Sequence, residues 1–419
     1  MNKVKYLIVG GGVSGLAFAN FVDSEDYLII EKEAELGGFC RTIYQDGFVW
    51  DYAGHFFHFA TKELKDFFQD KISSEQLVER DKVTKVYFDD QFVDFPFQAN
   101  IHQLKKERLL NCLYDLYFRE EKDEYSSFLD MLYSKFGKSI TEYFLKPYNE
   151  KLYACDLDTL DVDAMGRFFP YANLDQVIGS FKAQSVASYN AHFLYPKKGA
   201  KVFVDALAED IKEDRILLNE PIVSIDAISK KVVTDKRTIE FDYLINSAPL
   251  NRFLPMFSSH DFTSEQKSLS YNKVLVLNLG FDKKSPYEDL HWLYFPQKDI
   301  NFYRVGFYDN ILKSDKLSMY VEVGYAPEDS VDIEKQLSQT LEGLRCTGII
   351  TDHKLESYCT LVMDPAYVHV SQSSNNTKSK VFTELSKHNI YSIGRYGDWK
   401  YCSIEDSMQD AVKLAKEIS

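Results

Sequence analysis

Three glycines mark the first place where this chain can do chemistry: Gly10-x-Gly12-x-x-Gly15. The apolar run Tyr6-Leu7-Ile8-Val9 leads into them, and the residues from Val13 to Val22 read as a helix. In that setting the first glycine permits a tight turn. The second lets backbone approach a pyrophosphate, and the third lets helix and strand pack closely. The helix start offers free N–H groups and the positive end of its dipole to a phosphate. A second apolar run, Tyr27–Ile30, ends at Glu31, sixteen residues beyond Gly15. A carboxylate there can accept hydrogen bonds from ribose hydroxyls. Together these residues fit a dinucleotide.

The next segment separates FAD from NAD. Glu31-Lys32-Glu33 continues as Ala34-Glu35-Leu36-Gly37-Gly38-Phe39-Cys40-Arg41-Thr42. An acid, a short spacer, paired glycines and then Arg-Thr resemble the pattern of FAD oxidases and their relatives. Gly38 lets backbone pass close to the cofactor, and Arg41 can meet its phosphates. The expected cofactor is FAD.

These residues need a βαβ start, and the first thirty residues supply one. Residues 60–185 change character, with charged helical segments such as ATKELKDFFQD and EYSSFLDMLYSKFGKSITEYFL. Between them VTKVYFDDQFVDFPF alternates like a hairpin around Asp89-Asp90. Residues 200–215 read as a helix, followed by successive short strands up to YLINSA. Further aromatic strands fill 273–325, a helix is expected over 331–347, and the tail reads strand, glycine turn and helix from about Ser403. The fold class is α/β with α+β elements. A Rossmann-type FAD-binding domain would be discontinuous, built from 1–60, 186–270 and 385–419. A mainly helical substrate or cap region would span 61–185, and an antiparallel-sheet substrate region 271–384.

The bulk of the chain limits the partners. With 419 residues, 45% hydrophobic and 27% charged, it has material for a sizeable core. A net charge of −15 argues against a nucleic-acid binder. It leaves room for a small anion held by a few placed arginines. Six scattered cysteines form no CxxC pair and no zinc-spaced cluster with histidine. They read as reduced thiols in a cytoplasmic protein. No run of apolar residues is long enough to span a bilayer, and no metal site is expected.

From here the chain resembles the UDP-galactopyranose mutase family, in patches over nearly its whole length. The segments that carry the resemblance are Tyr52-Ala53-Gly54-His55-Phe56-Phe57-His58, Val93–Ile101 with its Phe95-Pro96-Phe97-Gln98, and Phe144–Tyr153 with its Pro147-Tyr148-Asn149. Trp292–Pro296, Phe302-Tyr303-Arg304 and Gly394-Arg395-Tyr396-Gly397-Asp398-Trp399-Lys400-Tyr401 complete them. Tyr153 stands where the family more often has Trp. The loop after Arg167 departs from the family pattern.

The resemblance implies a flavin-dependent isomerase that interconverts UDP-galactopyranose and UDP-galactofuranose through an adduct between the sugar and N5 of reduced FAD. It implies Arg304 and Arg167 as a clamp on the diphosphate, with His55 beside the flavin. A pair of arginines suits that task because each makes charge-assisted hydrogen bonds to phosphate. Tyr294, Tyr367 and Tyr401 would donate to the same phosphates, and Phe95 and Phe144 would hold the uracil. Gln98, Asn149, Tyr153 and Asn190 would face the nucleotide or the sugar. Arg395 and Val223 join Gly10, Gly12, Gly15, Glu31, Gly38 and Arg41 as cofactor contacts. The implied partner is a nucleotide sugar, and a homodimer is compatible with the resemblance. The rival reading is an FAD-dependent oxidoreductase of the amine oxidase or protoporphyrinogen oxidase type. A flavin-binding module without catalysis is a more distant third.

Overall fold

A computed structural model describes residues 3–59, 61–170, 172–182 and 192–419. The expected βαβ start is present as strand Lys3–Val9, helix Val13–Phe21 and strand Tyr27–Ile30. All four residues of Tyr27–Ile30 are buried, which fits a parallel strand covered on both faces. Thr238–Asn246 pairs in parallel with Lys3–Val9, from Lys3 opposite Glu240 to Val9 opposite Asn246. Ile390–Ser392 pairs with the far half of Thr238–Asn246. Three distant stretches of chain therefore meet in one sheet. Its order runs from Ile222–Asp226 through Lys231–Thr234, Thr238–Asn246, Lys3–Val9 and Tyr27–Ile30 to Ile216–Leu217.

On one face of this sheet Leu16 and Phe18 pack with Phe203, Leu207, Met408 and Ala411. On the other, Leu7, Leu28 and Leu244 pack with Phe253, Val381 and Trp399. Helix Ile404–Ile418 starts at a reciprocal cap: Ser403 accepts from the Asp406 N–H, and the Asp406 carboxylate accepts from the Ser403 N–H. Its apolar stripe of Met408, Ala411, Val412 and Ala415 is buried.

The second sheet also has seven strands, in the order Leu355–Met363, Lys273–Phe281, Ser318–Tyr325, Arg304–Phe307, Trp292–Tyr294, Thr84–Phe88 and Gln91–Asp94. The last two form the expected hairpin, with Asp89 and Asp90 at positive φ in its turn. This hairpin lies within the stretch expected to be mainly helical, yet it extends the sheet built from residues 273–363. Against that sheet pack helices Phe128–Ile140 and Lys146–Tyr153, joined by the π-helical turn Thr141–Leu145.

Two elements differ from expectation. The helix expected over 200–215 is shorter, Lys201–Ala208, followed by the 3₁₀ turn Glu213–Arg215. Helix Gln372–Ser386 has no counterpart in the sequence reading. Its Ser, Asn and Thr residues are weak helix formers, and a capping box between Ser371 and Ser374 starts it. Among the described residues no helix is long and apolar enough to cross a membrane.

Candidate active site

The glycine turn has the shape a pyrophosphate requires. Gly10 sits at φ +99°, and a Cβ on Gly15 would lie 2.1 Å from the Gly10 carbonyl oxygen. At Gly12 a Cβ would meet nothing within 4 Å, and one on Gly38 would come no nearer than 3.6 Å, to the Gly12 Cα. The two backbones thus face the same open space. No side chain caps the helix that starts after Gly12, so its first N–H groups are available to an anion. Glu31 is buried and accepts from the Gly11 N–H at 2.8 Å and the Glu33 N–H at 2.9 Å. Arg41 is fixed by donating to the Gly38 carbonyl at 2.8 Å and lies over the Tyr52 ring.

Two further groups point to a missing polar partner. Buried Arg395 Nε and buried His55 Nδ1 have no hydrogen-bond partner among the described residues. An unpaired buried polar atom is costly, so these two fit a ligand that completes them. FAD offers such groups, and the residues present fit it. Burial, with Arg395 and Arg304 nearby, pushes the His55 imidazole down to about 4. It is neutral near pH 7.

Next to these residues opens a cleft lined by Arg304, Arg395, Lys82, Tyr148, Tyr294, Tyr367 and Tyr401, among others. Sheet register builds one wall. Tyr294, Arg304 and Glu322 are direct cross-strand neighbours. The Arg304 Nη2 donates to Glu322 Oε1 at 2.6 Å and to the Tyr367 hydroxyl at 3.4 Å. Glu322 is buried behind it. Burial alone would lower the Arg304 pKa, but the Glu322 carboxylate together with Tyr367, Tyr320 and Tyr303 raises it well above the ordinary value and holds the guanidinium charged. Two positions along the same face, Trp292 donates to the Tyr320 hydroxyl. The strand can pass there only because residue 306 is glycine, where a Cβ would lie 2.1 Å from the Tyr320 ring.

Aromatic rings form the rest. Phe144 stacks on Tyr148 at 5.2 Å, and Tyr148 and Phe95 both lean on Tyr294 at 5.1 Å. Tyr367 and Tyr401 stack at 6.0 Å, with the Arg395 guanidinium 4.7 Å from the Tyr401 ring centre. Burial pushes the Tyr294 phenol up to about 12 and Tyr401 upward as well. Both stay neutral donors. No Asp or Glu is among the described residues that line the cleft.

Of the residues expected from sequence, Arg304, His55, Arg395, Phe95, Phe144, Asn149, Tyr294, Tyr367 and Tyr401 meet here. Asn149 donates to the Leu145 carbonyl at 2.6 Å while its Oδ1 stays unpaired. Four others are not part of that lining. Arg167 is half-exposed and paired with Asp406 at 2.5 Å, while its neighbours Met165 and Phe168 line the cleft. Gln98 is buried behind the wall and donates to the Pro170 carbonyl. Tyr153 is wholly buried, with its hydroxyl on the Ala164 carbonyl at 3.4 Å. Val223 is exposed on an edge strand of the first sheet. Asn190 lies outside the described residues.

Sequence reading missed Lys82, Tyr148, Trp292, Tyr320 and Glu322. Tyr148 and Trp292 were within reach, because they sit inside the segments that carry the resemblance. The Arg304–Glu322 partnership depends on strand register and has no local signal.

With this geometry in hand, the chain can be set beside known proteins. Residues 13–339 match the family of flavin containing amine oxidoreductases. A corticosteroid-binding protein of Candida albicans (strain SC5314 / ATCC MYA-2876) is 25% identical over 280 residues, covering 59% of this chain and 52% of that protein. The chain thus spans about half the length of that curated relative. In fold, it is similar to reduced UDP-galactopyranose mutase, with a TM-score of 0.93 at 22% identity over 99% of this chain and 93% of the other. A putative protoporphyrinogen oxidase from Exiguobacterium sp. 255-15 follows with a TM-score of 0.78 at 17% identity, over 99% and 98%. Putrescine oxidase gives 0.67 at 14% identity, over 99% of each chain. The expected fold class is therefore correct, and FAD is the cofactor. The chain belongs to the flavin containing amine oxidoreductase family.

Proposed function

We propose that this protein is a flavin-dependent isomerase that interconverts the pyranose and furanose forms of a nucleotide sugar, with UDP-galactose as the first substrate to try. The observation that carries this reading is the charge of the cleft. Arg304, Arg395 and Lys82 line it with neutral phenols and without a carboxylate among the described lining residues. Such a wall attracts a diphosphate. An amine would bring a positive charge against three cations.

In this reading Gly10, Gly12, Gly15, Gly38, Glu31, Arg41 and Arg395 hold FAD, with backbone at Val223. The FAD-binding unit is assembled from 1–60, 186–270 and 385–419. Bound FAD in its reduced form supplies the nucleophilic chemistry at the anomeric carbon. The chain's own residues bind and orient. Arg304, charged because Glu322 stands behind it, grips the diphosphate, and Tyr294, Tyr367 and Tyr401 donate to its oxygens. Phe95, Phe144 and Tyr148 offer ring faces to the base, and Asn149 an unpaired carbonyl oxygen. Holding the nucleoside diphosphate close favours its recombination with the sugar over escape. Arg167 joins the clamp only by leaving Asp406, and Gln98 and Tyr153 act as supports behind the wall. Six unbridged cysteines support a reducing, cytoplasmic setting.

The second reading is net oxidation of a substrate by FAD, favoured by the family match and the fold shared with putrescine oxidase. The test incubates the flavoprotein with UDP-galactofuranose, with and without dithionite, and separates the products by chromatography. Conversion to UDP-galactopyranose only in the reduced sample is expected, and Arg304→Ala should abolish it. No conversion in either sample, together with peroxide release from an added amine, would replace this reading with the oxidase.

A further inference from the structure

Lys82 lies between strands Leu77–Asp81 and Thr84–Phe88, where no motif marks it. The chain is pinned beside it: the Val83 N–H donates to His291 Nδ1 at 3.0 Å, and the Val83 carbonyl accepts from the His291 N–H at 2.9 Å. The side chain therefore enters the cleft from a fixed point. Its ammonium lies 5.6 Å from the Phe95 ring centre and 5.8 Å from that of Trp292. Among the described residues its ammonium makes no ion pair and no hydrogen bond, whereas neighbouring Lys85 pairs with Asp94 at 2.8 Å.

A lysine has three donors and ordinarily spends them on carboxylates, carbonyls or water. Here the half-buried ammonium faces two rings, which satisfy none of its donors and leave them turned to whatever fills the cleft. Burial, with the Arg304 cation on the same cleft, lowers the Lys82 pKa to about 8. Building a second cation beside the first is unfavourable in the free protein. It becomes favourable when an anion sits between them.

We propose that Lys82 is the second cation on the substrate's anion, donating to an anionic oxygen of the bound nucleotide sugar beside Arg304. The proposal rests on the nucleotide-sugar reading above, and it explains how the cleft holds two charges on its ligand while Arg167 is engaged with Asp406. The same ammonium could meet an oxygen of the diphosphate or a carboxylate carried by the sugar. Both are one chemistry, an oxyanion at the Phe95–Trp292 corner.

Trp292 lines the cleft, so its fluorescence can report binding, with calorimetry as the independent measure. The oxidised holoprotein and Lys82→Met, a neutral side chain of similar length, are each titrated with UDP, UDP-galactose and UDP-galacturonate. Loss of a charge-assisted hydrogen bond should weaken binding roughly 10- to 100-fold. If the diphosphate is the partner, all three ligands weaken alike. If a sugar carboxylate is the partner, UDP and UDP-galactose keep their affinity and only UDP-galacturonate weakens. Equal affinities of wild type and variant for all three ligands would overturn the role of Lys82 and leave the nucleotide-sugar reading standing. Failure of the wild type to bind any of them would overturn both. Should Lys82→Met lose its flavin, Lys82→Gln serves the same comparison.

Discussion

Arg304 carries opposite duties for stability and for function. Its guanidinium neutralises Glu322, which is buried in the sheet, and also faces the cleft. Arg304→Ala would strand that carboxylate, at a cost of about 3–5 kcal/mol. The double variant Arg304→Met, Glu322→Gln removes both charges. It should melt several degrees above Arg304→Ala and still fail to turn over the nucleotide sugar. Thermal melts beside the activity assay check this, and a double variant as unstable as the single one would contradict it. His291 gives a second residue-level expectation. Burial and nearby Arg80 hold its imidazole down at about 4, against an ordinary 6.5. The unfolded chain therefore takes up the proton first. The stability His291 contributes is complete above about pH 6.5 and is lost as pH falls toward 4. In His291→Asn the side-chain oxygen can still accept from Val83 without titrating. Melting temperatures across that window should fall less in the variant than in the wild type.

At the scale of elements, the glycine turn separates two demands that a sequence pattern merges. Gly15 serves packing, because a Cβ there would strike the Gly10 carbonyl at 2.1 Å. Gly12 has extended backbone and open space around it. Gly15→Ala should destabilise the flavin-free protein by about 1–3 kcal/mol. Gly12→Ala should leave its melting point nearly unchanged while flavin content drops. Melts of the apoprotein and absorbance of the purified holoprotein measure the two effects. This turn was legible because each glycine answers a local backbone need. The helix Gln372–Ser386 was not, since its residues have weak helical preference and tertiary packing of Val381 and Leu385 decides it. The pairing of Arg167 was not legible for a related reason. Its partner Asp406 lies 239 residues away, on a helix cap that no spacing rule links to it. Lys82 and Glu322 became visible only when register set the strands side by side.

On the scale of the whole molecule, the cleft belongs to no single stretch of chain. Gly54 and His55 come from the N-terminal part, Lys82 and Phe95 from the two ends of the hairpin, Tyr148 from the helical segment, Arg304 from the second sheet and Arg395 from the C-terminal turn. Aromatic segments in the sequence hinted at most of these separately. Their convergence follows from two sheets whose strands are drawn from distant parts of the chain. That same architecture is shared in outline with a mutase and with oxidases, so fold cannot choose between isomerisation and net oxidation. The lining charge favours an anionic ligand over an amine, and the proposed function makes the central claim to be tested: that the flavin ends each turnover in the state in which it began. The direct measurement follows the flavin spectrum under strict anaerobiosis while dithionite-reduced protein, freed of excess reductant, meets a large excess of UDP-galactofuranose. Many turnovers to UDP-galactopyranose per flavin, with the flavin still reduced at the end, are predicted. Flavin that changes oxidation state in step with substrate, or no isomer formed by a protein that binds UDP, would contradict the account.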